Sequence, residues 1–124
     1  MARKLFKGQT MKTILLSNDL MLGSQVTQAA RQVDADLEVI GQAGQLVAAC
    51  DSAAPAQVIL DLNNSLPAIA ELIERIREVA PDARIIAIAS HVHVSKIETA
   101  QAAGCDAVLT KGQFHSQMTE VLAG

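Results

Sequence analysis

The chain contains no Trp, no Tyr and only two Phe, so aromatic residues make up 2% of its 124 positions. Half of the residues are nonetheless hydrophobic. The core must therefore be built from Ala, Val, Ile and Leu, a composition that suits helices covering a parallel sheet. Cysteine is equally scarce: Cys50 and Cys105 lie 55 positions apart, with neither CxxC spacing nor a ligand-spaced His nearby. Both read as small buried hydrophobes. Long apolar runs are missing as well, since no stretch approaches the roughly 20 residues needed to span a bilayer. Residues 1–10 lack the hydrophobic core of a signal peptide, and a soluble cytoplasmic protein is expected. Basic charge is concentrated at Arg3, Lys4 and Lys7, which leaves residues 11–124 with 7 basic against 13 acidic side chains, net −6. An acidic body of this kind argues against a nucleic-acid-binding surface.

The length is that of one ordinary domain, able to bury a core without metals or disulfides. No repeat, low-complexity segment or linker marks a second one. Residues 11–124 form the expected domain. Residues 1–10 are a basic extension that reads equally as a flexible tail, an alternative start before Met11 or a docking element for an acidic partner.

What is present is an alternation of strand-length apolar runs with helix-period segments. Strands are expected near residues 12–17, 37–40, 57–61, 84–89 and 106–109, and helices near 20–33, 44–53, 67–79, 94–103 and 113–123. The third helix has the clearest signals: Pro67 suits a first turn, Ile69, Leu72, Ile73, Ile76 and Val79 recur at helical spacing, and Pro81 prevents continuation. Glu71, Arg75, Glu74 and Glu78 fall on its solvent side. In the fourth, Ser95 is expected to cap, with Glu98 at the third helical position and Gly104 as the stop. Five βα units imply parallel strands joined by right-handed crossovers, with helices on both faces of the sheet.

In such a sheet ligands bind at the carboxyl ends of the strands, and four of these ends carry polar residues. Ile14-Leu15-Leu16 runs into Ser17-Asn18-Asp19, Val58-Ile59-Leu60 into Asp61, Ile85 to Ala89 into Ser90, and Ala107-Val108-Leu109 into Thr110-Lys111. Taken singly, strand-end Asp, Ser and Lys often cap helices or sit solvated. Here the four occur in order, with gaps of 42, 29 and 21 residues between Asp19, Asp61, Ser90 and Lys111.

On these residues the segment 11–124 resembles the receiver domain of two-component response regulators, the family that includes the single-domain chemotaxis regulator. The resemblance implies a flavodoxin-like doubly wound (βα)5 fold with strand order 2-1-3-4-5. It makes Asp61 the phosphoacceptor, helped by Ser90 and Lys111. It also assigns Mg²⁺ to Asp19, Asp61 and the backbone carbonyl of Asn63, with Asn18 contributing through a water. The chemistry is coherent, because a carboxylate approaching an anionic phosphoryl donor is repelled by it and a divalent cation removes that repulsion. Mg²⁺ keeps several waters, so two carboxylates and one carbonyl suffice from the protein. Lys111 is expected to pair with Asp61 at rest. The implied function is a stand-alone receiver, a signalling module that at most catalyses its own phosphorylation and dephosphorylation. Its implied partners are a histidine kinase or phosphotransfer protein and a downstream protein target docking on the helix 4, strand 5 and helix 5 face; a homodimer is compatible with this.

The sequence departs from the family at four points. Asn18 replaces the first acid of the usual pair and should weaken Mg²⁺ binding. Gly112 stands where the family usually has Pro in a cis peptide, so a trans bond is expected after Lys111. His91, beside Ser90, is large enough to narrow access to Asp61, and Val108 replaces the aromatic switch residue many receivers carry. Asn18, Gly112 and His91 motivate an alternative, a degenerate pseudo-receiver acting as a phosphate-independent interaction or dimerisation module. His91 and His93 lack helical-face spacing and a flanking acid, so they read as surface or loop residues rather than metal ligands. A flavin or nucleotide binder of the same fold class would need a phosphate-cradling loop after strand 1, where Ser17 to Ser24 contains only Gly23.

Overall fold

In a computed structural model, which describes residues 12–63 and 68–124, the chain alternates strand and helix five times. The elements are β1 (Lys12–Leu16), α1 (Leu20–Gln32), β2 (Asp36–Ile40), α2 (Ala43–Ala53), β3 (Gln57–Asp61), α3 (Ile69–Val79), β4 (Arg84–Ala89), α4 (Val94–Ala102), β5 (Ala107–Thr110) and α5 (Lys111–Ala123). The strands form one parallel sheet in the order β2-β1-β3-β4-β5. That is the order expected for a doubly wound (βα)5 fold.

Side-chain alternation along the strands divides the core in two. Ile14, Leu16, Val58, Leu60, Ile85, Ala87 and Ala89 face one way and pack with Leu46 and Cys50 of α2, Leu72, Ile73 and Ile76 of α3, and Ala100 of α4. Leu15, Ile59, Ile86 and Ile88 face the other way and pack with Leu22 and Val26 of α1 and with Phe114, Met118 and Leu122 of α5. Among the described residues, Phe114, fully buried, is the one large aromatic plug in this aliphatic interior. Burial on both faces is what lets β3 and β4 read as unbroken apolar runs rather than alternating ones.

On α3, Leu72, Ile73 and Ile76 are buried while Glu71 and Arg75 pair in solvent at 2.9 Å. Pro67 lies outside the described residues. The start of α4 falls where it is expected but without the expected Ser95 cap, and the start of α5 differs from expectation. Helix α4 begins at Val94, after His93, and has no side-chain cap; Ser95 therefore sits in its first turn, where its carbonyl accepts from the Thr99 hydroxyl at 2.8 Å. Helix α5 begins at Lys111 instead of beyond Gly112, because Thr110 closes a capping box: its Oγ1 accepts from the Gln113 amide at 3.1 Å and Gln113 Oε1 accepts from the Thr110 amide at 2.9 Å. The described residues contain no cis peptide bond. Cys50 is buried as expected, but Cys105 is only partly so. Burial pushes both thiols up to about 11, which leaves neither as a reactive thiolate at neutral pH. No described helix is long and apolar enough to cross a membrane.

At the amino ends of the strands, the buried Gln57 side chain donates from Nε2 to Thr13 Oγ1 at 3.0 Å and to the Val121 carbonyl at 2.8 Å, joining β3, β1 and the last turn of α5. Four helices end on a residue of positive φ, α5 among them on Gly124 (φ 85°). Gly104 (φ 92°) completes a Schellman turn in which its amide donates to Gln101 and that of Cys105 to Ala100. Asp34 (φ 56°) closes α1 in the same way, and Ala54 (φ 46°) closes α2. A Cβ is disfavoured in this region. Ala54→Gly should therefore stabilise the fold by roughly 0.5–1 kcal/mol, and Gly104→Ala should destabilise it by about 1 kcal/mol or more. Thermal melts followed by circular dichroism should move in opposite directions, each by a few degrees.

Candidate functional site

The register brings the polar strand ends together. Leu16 lies opposite Leu60, Asp61 opposite Ile88, and Ala89 opposite Thr110, so Ser17, Asp61, Ser90 and Lys111 follow in one row along the carboxyl edge of the sheet.

Asp61 ends β3 and is 1% exposed. A buried carboxylate requires hydrogen-bond donors, and the described residues supply two. The Ser17 hydroxyl donates to Oδ2 at 2.7 Å, and the Asn63 amide, two residues on, donates to Oδ1 at 3.0 Å. Ser17 is itself buried at 3% exposure and held by its own amide on the Ile40 carbonyl. The sequence shows Ser17 as one of the polar residues closing β1, but nothing in a single serine announces that its hydroxyl meets Asp61.

Asp19 serves first as the N-cap of α1: its Oδ1 accepts from the amides of Met21 and Leu22 at 3.0 and 3.1 Å. Its Oδ2 lies 3.4 Å from Lys111 Nζ, with both side chains about a third exposed. The Leu22 amide, against the opposing effect of partial burial and aided by Lys111, holds the Asp19 carboxyl below its ordinary value of 3.8. Lys111 thus pairs with Asp19, not with Asp61 as expected. It stands in the first turn of α5, where the Thr110 cap turns the chain away from β5, and from there it faces the β1–α1 loop.

Ser90 is partly exposed, and its carbonyl accepts from the His93 amide at 2.9 Å. His91 and Asn18 are exposed. His93 is not a plain loop residue: Nδ1 lies 2.9 Å from Asn63 Oδ1, and with the amide oxygen accepting, the Nδ1–H form of the ring donates. Lys96, one turn into α4, donates to the Leu62 carbonyl at 3.0 Å. Together these contacts fasten the start of α4 to the loop that follows Asp61. Neither was legible in the sequence, where His93 and Lys96 carry no pattern that points across 30 residues or more of chain.

No protein-family model matches the sequence, and no curated protein does. Solved structures do match. A signal receiver domain of a response regulator from Bermanella marisrubri is 17% identical with a TM-score of 0.76, covering 94% of this chain and all of its own. The chain has the response regulator receiver fold. A second match is the receiver domain of a sensor histidine kinase from Pseudomonas aeruginosa, described with a magnesium ion in its active site cleft. It is 15% identical with a TM-score of 0.78, covering 92% of this chain and 95% of that one. A third is the receiver domain of a Saccharomyces cerevisiae response regulator in complex with a histidine phosphotransfer protein, 13% identical with a TM-score of 0.75, covering 91% and 86%.

Asp19, Asp61 and the Asn63 carbonyl are hard oxygen donors of the kind Mg²⁺ takes, so this site fits the ion in donor chemistry. Among the described residues no three His, Cys, Asp or Glu side chains gather as a metal-holding group, and both carboxylates already hold internal donors. Binding an ion would exchange some of those contacts.

The depressed Asp19 carboxyl sets an acid limit. Its contribution to stability is present above the unfolded value near 3.8 and is lost as the pH falls through the lower folded value. At neutral pH the cap and the charge separate by mutation. Asp19→Asn keeps an oxygen for the two amides and should leave Tm within about 1 °C, whereas Asp19→Ala should lower it by roughly 4 °C in a circular dichroism melt.

Proposed function

We propose that the protein is a receiver of two-component phosphorelay signalling, which takes a phosphoryl group onto Asp61 and changes its partner binding as a result. The observation that carries this reading is a buried carboxylate at the end of a central parallel strand, with Asp19, Ser90 and Lys111 on the neighbouring strand ends. In the transfer, an Asp61 oxygen supplies the electron pair of a new O–P bond, the P–N bond to the donor's phosphohistidine breaks, and its pair returns to the imidazole ring. Asp19, Asp61 and the Asn63 carbonyl would hold Mg²⁺, with Asn18 reaching it through a water; the ion when bound offsets the repulsion between carboxylate and phosphoryl oxygens. The Ser90 hydroxyl donates to one phosphoryl oxygen and the Lys111 ammonium, released from Asp19, to another. Lys96 and His93 tie α4 to the Asp61 loop, so a change at Asp61 bears directly on the α4, β5 and α5 face, where a downstream protein docks. The phosphoryl donor is a histidine kinase or phosphotransfer protein, and the setting is cytoplasmic.

One observation favours a second reading, a phosphate-independent interaction module. Both oxygens of Asp61 and both of Asp19 already accept hydrogen bonds or an ion pair inside the protein. The two readings separate by intact mass. Incubation with Mg²⁺ and acetyl phosphate, with fast quenching, should add the mass of one phosphoryl group to the wild type and nothing to Asp61→Asn or to a metal-free sample. Absence of the adduct from the wild type and from Ser17→Ala, in which Asp61 Oδ2 loses its hydroxyl donor, with a partner binding both wild type and Asp61→Asn equally, would overturn the receiver reading in favour of the second.

A further inference from the structure

We infer that the Ser17 hydroxyl is a positioning residue that restrains Asp61, holding the carboxylate in a resting state from which phosphoryl transfer is slow. The inference rests on the reading of Asp61 as phosphoacceptor. Three facts carry it. The Oγ–Oδ2 distance of 2.7 Å is that of a strong hydroxyl–carboxylate hydrogen bond, made between two residues that are 3% and 1% exposed. A serine hydroxyl has one proton, and here it is spent on Asp61. The same Oγ also accepts from the Asp19 amide at 3.1 Å, so one atom links the acceptor carboxylate to the β1–α1 loop.

Each Asp61 oxygen is occupied, but not equivalently. Oδ1 takes a backbone amide fixed by the chain, whereas Oδ2 takes a hydroxyl that can turn about one side-chain bond. Oδ2 is therefore the oxygen that can be freed. With acetyl phosphate, the Oδ2 pair forms the O–P bond, the bond from phosphorus to the acetyl oxygen breaks, and acetate leaves with that electron pair. Ser17 keeps its proton and moves aside. That movement removes the Asp19 amide's acceptor as well, so freeing Asp61 loosens the loop that carries Asp19.

The test compares adduct formation from acetyl phosphate and Mg²⁺ in the wild type, Ser17→Ala and Ser17→Thr, with fold checked by circular dichroism. Ser17→Ala should raise the maximal rate roughly tenfold, with the half-saturating donor concentration changed less than twofold. Ser17→Thr, which keeps the hydroxyl, should stay close to the wild-type rate. Ser17→Cys preserves volume with only a weak donor and should fall in between; it replaces the alanine variant if that one does not fold. An adduct in Ser17→Ala but not in the wild type would be the strongest support. Equal or slower labelling of Ser17→Ala, with the wild type labelled, would overturn this inference alone. No adduct in any variant would overturn it together with the phosphoacceptor reading.

Discussion

The constraint from which the rest of the site follows is a charge placed where water does not reach. Asp61 closes a strand whose other residues are all buried, and at 1% exposure its carboxylate must be satisfied from within the protein. The two donors among the described residues come from different places: an amide of the loop that follows β3 and a hydroxyl at the end of the neighbouring strand β1. The first fixes how the chain leaves β3, and the second requires β1 to stop at Leu16 so that Ser17 can turn inward. The β1–α1 loop then has only Asn18 before Asp19, which caps the next helix and meets Lys111 from α5. A single buried carboxylate thus sets the local course of two strand ends.

The two-sided core makes this arrangement rigid where it matters. α1 and α5 cover one face and α2, α3 and α4 the other, so each strand end is gripped by side chains above and below. The loops at the carboxyl edge are less evenly held. The loop after β3 is fastened to α4 by Lys96 and His93, whereas Lys111 and Asp19 meet at 3.4 Å in a solvent-accessible pair, which contributes little to stability. The site therefore combines one well-anchored carboxylate with one loosely paired one.

Most of the fold was legible in the sequence because its signals are periodic and local. The apolar runs of β1, β3 and β4 and the spacing of Leu72, Ile73 and Ile76 state which faces are buried, and Gly104 states where α4 ends. The start of α5 was misplaced because Gly112 argues against a helix on propensity, while the Thr110–Gln113 capping box, which outweighs it, consists of two ordinary polar residues. Ser95 has the residue type of a cap, but the backbone begins α4 before reaching it. At the site, the polar strand ends were visible, but their partners were not. Whether Lys111 reaches Asp61 or Asp19, and whether Ser17 faces inward, depends on loop paths and rotamers of ångström scale, on which hydrophobic periodicity has no bearing.

The Gln57 side chain, at the opposite edge of the sheet, has a mechanical meaning. By binding the Val121 carbonyl from β3 it pins the carboxyl end of α5, while Lys111 stands at the other end of that helix. The ten residue steps from Val121 back to Lys111 span about 15 Å of helix, and Phe114, fully buried between them, holds that length against the sheet. Gln57 and Phe114 therefore fix, from outside the site, the place from which the Lys111 side chain reaches Asp19.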